Sequence, residues 1–183
     1  MVVKHYSWMQ YFFNPQIALK ISEYKITPYP VTETVKQNLH LYPMFHSEPY
    51  QVSSPNHKAS EEGQQVLMVH APGEMRFRAS AGKHTFSAQF GILKGAYSAD
   101  NKYPTDGVEF SALLHKKNGH ALILFKRFLN PQVVEADRGL QNTTVSFEIE
   151  KDAELVLRTH PGAANNTQCD WSFWNAVQIN RPR

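Results

Sequence analysis

The sequence predicts an all-β fold, a two-sheet antiparallel β-sandwich of the jelly-roll type. Apolar and polar residues alternate in runs such as Val108-Phe110-Ala112-Leu114 and Val145-Phe147-Ile149, and this period of two is typical of strands with one packed face. All nine glycines lie from Gly63 onward, where they indicate tight turns between strands. Many short strands joined by polar loops favour two facing sheets.

The alternation and the turn residues place the strands in order along the chain. Strands are predicted at residues 65–70, 75–80, 84–93, 108–115, 121–128, 144–149, 154–159 and 175–180. Lys116-Lys-Asn-Gly119 predicts a β-hairpin, because Asn-Gly tolerates the positive φ values of a type I′ turn. Lys151-Asp152 predicts a second tight turn.

The first third of the chain has a different composition. Residues 1–62 contain no Gly, Asp or Arg, but six of the eleven prolines, and each proline favours an extended residue before it. Residues 31–41 lack Gly and Pro and predict a short helix with Thr32 as a candidate N-cap. We therefore predict a helical and proline-rich wrapping segment at 1–62 and a β-sandwich domain at 63–183.

Charge and composition exclude several classes of function. The chain has 19 Lys and Arg against 16 Asp and Glu, scattered along the sequence, whereas nucleic-acid binding requires basic residues on one face. Cys169 is the single cysteine, which excludes an intrachain disulfide and a cysteine-based zinc site. No apolar run approaches the roughly 18 residues that span a bilayer. The aromatic-rich residues 1–19 fit either a helix packed on the domain or a juxtamembrane segment.

Motifs for catalysis and for transition metals are missing. The chain has no Gly-x-Ser-x-Gly elbow, P-loop or dinucleotide glycine pattern, and its nine histidines form no His-x-His or His-Glu-x-x-His spacing. Paired carboxylates of the glycosidase type have four candidates: Glu109, Glu135, Asp137 and Asp170. We therefore predict a protein that is not an enzyme and that has no transition-metal site.

The loops at the strand ends hold the candidate binding residues, since sandwiches display ligand-binding groups there. We predict a rim formed by loops 94–106, 129–142 and 160–174. Trp171 and Trp174 fit either stacking of the indole on the C–H face of a sugar or packing in the core. The side chains that could surround a ligand there are Asp170, Arg138, His160, Asn165 and Tyr97.

Two alternatives remain open for the charged residues of this rim. Arg138 is a candidate ligand for sugar hydroxyls, but it also fits an internal ion pair with Asp170 that ties two loops together. No cofactor is predicted. A structural calcium ion is a further option, with Asp100, Asp106 and Asp170 as its candidate ligands.

Several segments between about Gln64 and Asn180 resemble a known family. They are Val66-Leu-Met-Val-His-Ala-Pro72, Met75-Arg-Phe-Arg78, residues 86–91, Thr105-Asp-Gly-Val-Glu-Phe-Ser111, Arg127-Phe-Leu-Asn-Pro131, Asp137-Arg-Gly-Leu-Gln141, Leu155-Val-Leu-Arg-Thr-His-Pro-Gly162 and Cys169-Asp-Trp-Ser-Phe-Trp174. In order and spacing they resemble the galactose-binding-like β-sandwiches of bacterial carbohydrate-binding modules, and most of all the NPCBM type.

The resemblance implies a noncatalytic module that recognises carbohydrate or cell-envelope glycan. It implies a place in the cell envelope or outside the cytoplasm, as the soluble part of a membrane-associated protein or beside an enzyme, although a cytoplasmic location stays open. Sugar binding is a property of some members only, so the fold transfers better than the ligand. The rival hypothesis is a protein-interaction or structural sandwich of an envelope assembly.

Overall fold

The fold is seen in a computed structural model, which describes residues 29–32, 46–53, 56–116, 119–162 and 165–181. These residues form a β-sandwich with two 3₁₀ turns, at Lys94–Ala96 and Glu135–Asp137. The strands are β1 (Tyr29–Pro30), β2 (Gln51–Val52), β3 (Asn56–Glu61), β4 (Gln64–Val69), β5 (Gly73–Ala79), β6 (Gly82–Ile92), β7 (Val108–Lys116), β8 (Ala121–Leu129), β9 (Gln141–Ile149), β10 (Ala153–Pro161) and β11 (Ser172–Asn180).

The strands form two antiparallel sheets. Sheet I has six strands in the order β1-β2-β5-β10-β7-β8, and sheet II has five in the order β3-β4-β11-β6-β9. Several neighbours within each sheet are distant in sequence, as when β10 pairs with both β5 and β7. This crossing connectivity is the jelly-roll arrangement, and it confirms the predicted all-β sandwich.

All eight predicted strands are present, as β4 to β11. The predicted hairpin joins β7 to β8, where the backbone N–H of Gly119 donates to the carbonyl of Lys116 at 3.0 Å. The second predicted turn joins β9 to β10. The period-two pattern therefore located the strands, because each one turns alternate apolar side chains toward the opposite sheet.

The sandwich begins earlier in the chain than the composition predicts. Strands β1 and β2 extend sheet I, and β3 pairs with β4 along its whole length in sheet II. The expected boundary between residues 62 and 63 lies in the tight turn of the β3–β4 hairpin, where Glu62 and Gly63 both have positive φ. Of the predicted helix, Val31 and Thr32 are not helical. The rest of it, and residues 1–19, lie outside the described residues.

A cluster of aromatic rings joins the two sheets. Phe90 of β6 and Trp174 of β11 face Phe110 of β7, with ring centroids 5.0 to 5.5 Å apart. Phe125 of β8 packs edge-on against Phe90 at 5.2 Å. Such tilted and edge-to-face contacts are favourable for aromatic quadrupoles and add to the burial of apolar area. The core is therefore centred on Trp174.

His46 and Ser47, before β2, attach to sheet II at an irregularity of β11. The register of β11 on β6 shifts between Asn175 and Gln178, and Ala176 has a φ of 47°. Such a bulge leaves a backbone group outside the ladder. Here the carbonyl of Val177 accepts hydrogen bonds from the N–H groups of His46 (3.1 Å) and Ser47 (3.2 Å). His46 and Ser47 are therefore attached to the sandwich.

We predict that Trp174→Ala lowers the free energy of unfolding by about 3–5 kcal/mol, because it removes the largest buried ring and leaves a cavity between the sheets. Urea unfolding followed by circular dichroism measures this loss. Val133→Ala is the matched control, since Val133 is 80% exposed and its truncation should change stability by no more than about 0.5 kcal/mol. Equal effects of the two variants would show that Trp174 does not hold the core.

Candidate functional site

Three loops meet at one end of the sandwich and form a continuous rim, which we define as residues 93–107, 130–140, 162 and 165–171. Backbone hydrogen bonds join Leu93 N–H to the carbonyl of Trp171 (2.9 Å) and Gly162 N–H to the carbonyl of Gly107 (3.2 Å). The side-chain amide of Gln132 donates to the carbonyl of Tyr97 (3.2 Å). The three loops that the sequence assigns to a common rim are therefore in direct contact.

Trp171 lies on the surface of this rim in a fixed position. Its side chain is 36% exposed, and its ring lies against the backbone of Gly95, where an added Cβ would be 3.0 Å from Cζ3 of the indole. The backbone N–H of Trp171 donates to the carbonyl of Cys169 (2.7 Å), a residue with a φ of 54°. The loop backbone and Gly95 together hold the indole with part of its surface open to solvent.

Trp174 has a different role from Trp171, although both were candidate stacking residues. It is completely buried, three residues further along in β11, and it packs against Phe90 and Phe110. Its assignment to the binding surface was wrong, and the core alternative applies. The reason is position along the chain: Trp174 lies within β11, where the strand is covered, whereas Trp171 precedes the first residue of β11.

Asp170 was also assigned to the binding surface, and it is buried instead. Its Oδ1 accepts a hydrogen bond of 2.6 Å from Thr105 Oγ1, and its backbone carbonyl accepts one from Ala71 N–H at 3.2 Å. Asp170 therefore links the loop 93–107 to the loop that carries Trp171. Its other carboxylate oxygen, Oδ2, has no hydrogen-bond partner among the described residues.

The environment of Asp170 disfavours its charge. Burial raises the pKa of its carboxyl to about 7; the hydrogen bond from Thr105 opposes this shift and the nearby carboxylate of Asp106 adds to it. A carboxylate without a counter-ion inside a protein is costly, so the neutral acid is favoured. Near neutral pH this group therefore exchanges between a neutral and a charged form inside the rim.

Arg138 does not pair with Asp170, so the predicted internal ion pair was wrong. It is exposed, its Nε donates to the carbonyl of Pro131 at 2.9 Å, and its guanidinium lies 5.9 Å from the centroid of the Tyr97 ring. Tyr97 is half-buried against the core. Arg138 and Tyr97 thus form one polar and aromatic corner of the rim, with donors of Arg138 available to a ligand.

The ion pair that does hold the loop after β8 joins Arg127 and Asp137. Their Nη2 and Oδ1 are 3.0 Å apart, and Oδ2 of Asp137 accepts a bond of 2.9 Å from Asn130 N–H. Asp137 is buried, so this pair stabilises the loop rather than contacting a ligand. The expected aspartate–arginine pair, Arg138 with Asp170, was to tie two loops together, whereas the observed pair joins the end of β8 to the loop that follows it.

His160 and Asn165 lie at the end of β10 and in the loop that follows it. His160 is the penultimate residue of β10, directly opposite Glu109 of β7, and its Nδ1 contacts the carbonyl of Pro161. Asn165 is exposed with a φ of 59°, and its N–H donates to the carbonyl of Gly162 at 2.9 Å. They flank the sheet I side of the rim.

The β3–β4 hairpin contributes a residue to the rim that the sequence did not suggest. Glu61 is buried, and its Oε2 accepts a hydrogen bond of 2.9 Å from the N–H of Lys94, next to the Gly95 that supports Trp171. Burial raises the pKa of the Glu61 carboxyl, and the bond from Lys94 opposes this shift. Glu61 lies before the composition break, which is why it was assigned to the N-terminal segment.

The exposed aromatic side chains of the described residues all lie at the rim or at the strand end beside it. They are Trp171, Tyr103 and Phe128, and two exposed valines, Val133 and Val134, accompany them. The other exposed large apolar side chains in the described ranges are Leu122 and Ile123, at the opposite end of β8. A concentration of exposed apolar side chains with polar neighbours is typical of an interaction site.

Metal ligands do not assemble at the rim. Among the residues that the structure describes, no group of three or more His, Cys, Asp or Glu side chains could hold a metal ion. Of the three calcium candidates, Asp100 is exposed, whereas Asp106 is half-buried and Asp170 fully buried beside Thr105. No helix in the described ranges of the chain is long and apolar enough to cross a membrane.

Comparison with known proteins gives similarity of fold at low sequence identity. No family model and no curated protein matches the chain, so the NPCBM assignment stays a prediction. Among solved structures, the CBM51-2 and INT domains of Clostridium perfringens ZmpB in complex with GlcNAc are 13% identical, with a TM-score of 0.48 over 69% of this chain. That match covers 28% of the ZmpB chain.

Two further solved structures are single modules. The CBM51 of Clostridium perfringens GH95, in complex with methyl-galactose, is 13% identical with a TM-score of 0.43, over 70% of this chain and 81% of that one. The CBM22-1 xylan-binding domain of Paenibacillus barcinonensis Xyn10C is 12% identical with a TM-score of 0.42, over 69% and 80%. In each case the similarity is one of β-sandwich architecture.

The buried carboxyl of Asp170 predicts a pH dependence of stability. Because the pKa of Asp170 is about 7 in the folded state and about 4 when unfolded, the folded chain binds the extra proton between these values. The contribution of Asp170 to the free energy of unfolding is therefore present at low pH. As pH rises from about 4 to about 7, the free energy of unfolding falls by on the order of 2–4 kcal/mol.

Urea unfolding at pH 4 to 8 measures this contribution as the difference between wild type and Asp170→Asn, which stays neutral and can keep the bond from Thr105. We expect the variant to gain stability relative to wild type as pH rises. Asp100→Asn, at an exposed position of the neighbouring loop 93–107, should follow the wild-type curve. Parallel curves for wild type and Asp170→Asn would contradict a neutral Asp170.

Proposed function

We propose that this chain is a noncatalytic carbohydrate-recognition sandwich that binds glycan at the rim through Trp171. The observation that carries the proposal is the indole of Trp171, part-exposed and fixed on the backbone of Gly95. The C–H face of a sugar packs favourably on an indole, and a ring that is already fixed loses little conformational entropy on binding.

Polar groups beside Trp171 are suited to sugar hydroxyls. Lys94 precedes Gly95 and is exposed, and Gln168 is exposed three residues before Trp171. Asn101 bridges the two loops, with its amide nitrogen 3.1 Å from the carbonyl of Gly95 and 3.4 Å from Sγ of Cys169. A ring flanked by donors and acceptors gives orientation and specificity to a ligand that is both apolar and hydroxylated.

The carboxylates at the rim support a role without catalysis. Of the four glycosidase candidates, Asp170 is buried, Asp137 is paired with Arg127, and Glu109 lies 2.7 Å from Lys126. Glu135 alone is exposed, in a 3₁₀ turn. Glycoside hydrolysis requires two carboxyl groups flanking one sugar bond, one of them an acid and the other free to act as base or nucleophile. The rim residues are thus arranged for binding.

The proposal extends to the source of the ligand. On the strength of the sequence resemblance, we infer a glycan of the cell envelope and a location outside the cytoplasm, beside an enzyme or a membrane protein. Fractionation of cells that express the tagged full-length protein tests this part separately from binding itself.

We predict that wild-type protein binds at least one glycan on an array of plant, bacterial and animal polysaccharides, and that Trp171→Ala lowers the affinity at least tenfold, which corresponds to about 1.4 kcal/mol. The array selects the ligand, and isothermal titration calorimetry measures the affinity. The loss follows from removal of the stacking surface, since the backbone bonds of residue 171 remain.

Leu122→Ala is the control, because it removes an exposed apolar side chain from the opposite end of β8 and should leave the affinity unchanged. Urea unfolding of both variants checks that the fold is intact. If wild type binds no glycan, or if Trp171→Ala binds as tightly as wild type, the proposed site is wrong.

A further inference from the structure

Phe128 forms a second exposed aromatic surface supported by glycine, close to the rim. Its side chain is 44% exposed, and its ring lies over two glycines: a Cβ added at Gly107 would be 2.4 Å from Cζ, and one at Gly162 would be 2.7 Å from Cε2. Gly107 also has a φ of 114°, a conformation that other residues rarely adopt. Trp171 on Gly95 and Phe128 on Gly107 and Gly162 are therefore built alike.

The two supported rings are joined by a short, hydrogen-bonded path. Ala96 follows Gly95, and its carbonyl accepts from Thr105 N–H at 2.9 Å; the hydroxyl of Thr105 accepts in turn from Gly107 N–H at 3.1 Å. Standard backbone spacings along this path place the Cα atoms of the two supporting glycines no more than about 17 Å apart. Such a separation is within the length of a short oligosaccharide.

The region around Phe128 offers hydrogen-bonding groups for sugar hydroxyls. Phe128 lies directly opposite Glu109 in the register of β7 and β8, on the face turned away from the core because Val108 and Phe110 on either side of Glu109 are buried. Glu109 pairs with Lys126 at 2.7 Å, and both side chains remain partly exposed. This pair provides an acceptor and a donor beside an aromatic surface.

A third ring lies on the loop between the two surfaces. Tyr103 is 61% exposed, and its N–H donates to Oδ1 of Asn101 at 3.0 Å. The loop it belongs to begins and ends at the hydrogen-bonded pair Ala96 and Thr105. The rim and the adjoining end of β8 thus present three exposed aromatic side chains.

We propose that the rim binds an oligosaccharide at two stacking subsites, one at Trp171 and a second at Phe128, with Glu109 and Lys126 contacting sugar hydroxyls at the second. This inference rests on the proposed glycan-binding function and adds the class of ligand to it. A chain of several sugar units occupies both subsites, and a monosaccharide occupies the Trp171 subsite alone. Affinity therefore rises with chain length.

The test uses calorimetry of the full chain with three ladders, from xylose, N-acetylglucosamine and galactose to their tetrasaccharides. Wild type is expected to bind one tetrasaccharide at least tenfold more tightly than its monosaccharide. Phe128→Ala should reduce the tetrasaccharide affinity at least fivefold and change the monosaccharide affinity less than twofold. Trp171→Ala should weaken both ligands.

Two controls separate stacking from folding. Phe128→Leu keeps an apolar side chain over Gly107 and Gly162 but removes the flat ring, and it should show the same selective loss. Leu122→Ala on the same strand should bind both ligands as wild type does. Equal affinity of wild type for both sugars, or full tetrasaccharide affinity in Phe128→Ala, would overturn the second subsite while leaving the Trp171 site intact. Binding of no sugar by wild type would contradict both proposals.

Discussion

The packing of Trp174 against Phe90 and Phe110 is the interaction on which the rest of the structure depends. It joins the two sheets across the core, and it also fixes the phase of β11 on β6, where Trp174 lies opposite Phe90. Once that phase is set, the chain before Ser172 leaves the sheet at the rim. Trp171 is then placed outside the core by the same contact that places Trp174 inside it.

Buried polar groups fix the loops once the core has fixed the strands. Three carboxylates serve this purpose: Asp170 binds Thr105, Asp137 binds Arg127 and the backbone of Asn130, and Glu61 binds the backbone of Lys94. Buried acceptors that are satisfied in this way specify one loop arrangement, because every alternative leaves a donor or a charge without a partner. The Oδ2 of Asp170, which has no hydrogen-bond partner among the described residues, departs from this pattern. Protonation of the carboxyl lowers the free-energy cost of burying it. An exposed ring on a rigid rim loses little conformational entropy when it binds a ligand, because it does not have to be ordered first.

The fold was predictable from the sequence to a larger extent than the site. Alternation revealed β4 to β11 because packing on the opposite sheet imposes a period of two, and the composition break near residue 62 hid β1 to β3 because they are short or poor in apolar residues. At the site, Trp171 and Trp174 are the same residue type and differ in position, because Trp174 lies within β11 and Trp171 precedes its first residue. Partners such as Thr105 for Asp170 and Arg127 for Asp137 are set by contacts between distant segments, which local pattern does not encode. Phe128 was read as an ordinary strand residue, and only the two glycines beneath it show otherwise.

We propose that Trp171 at the rim, and not Trp174 in the core, contacts a glycan. The most direct measurement is the response of the tryptophan indole N–H signals in a ¹H–¹⁵N correlation spectrum when the glycan selected on the array is titrated into labelled protein. We expect a saturable shift of the Trp171 signal, assigned through the Trp171→Phe variant, and no change in the Trp174 signal. A Trp171 signal that stays in place while the glycan binds would contradict it.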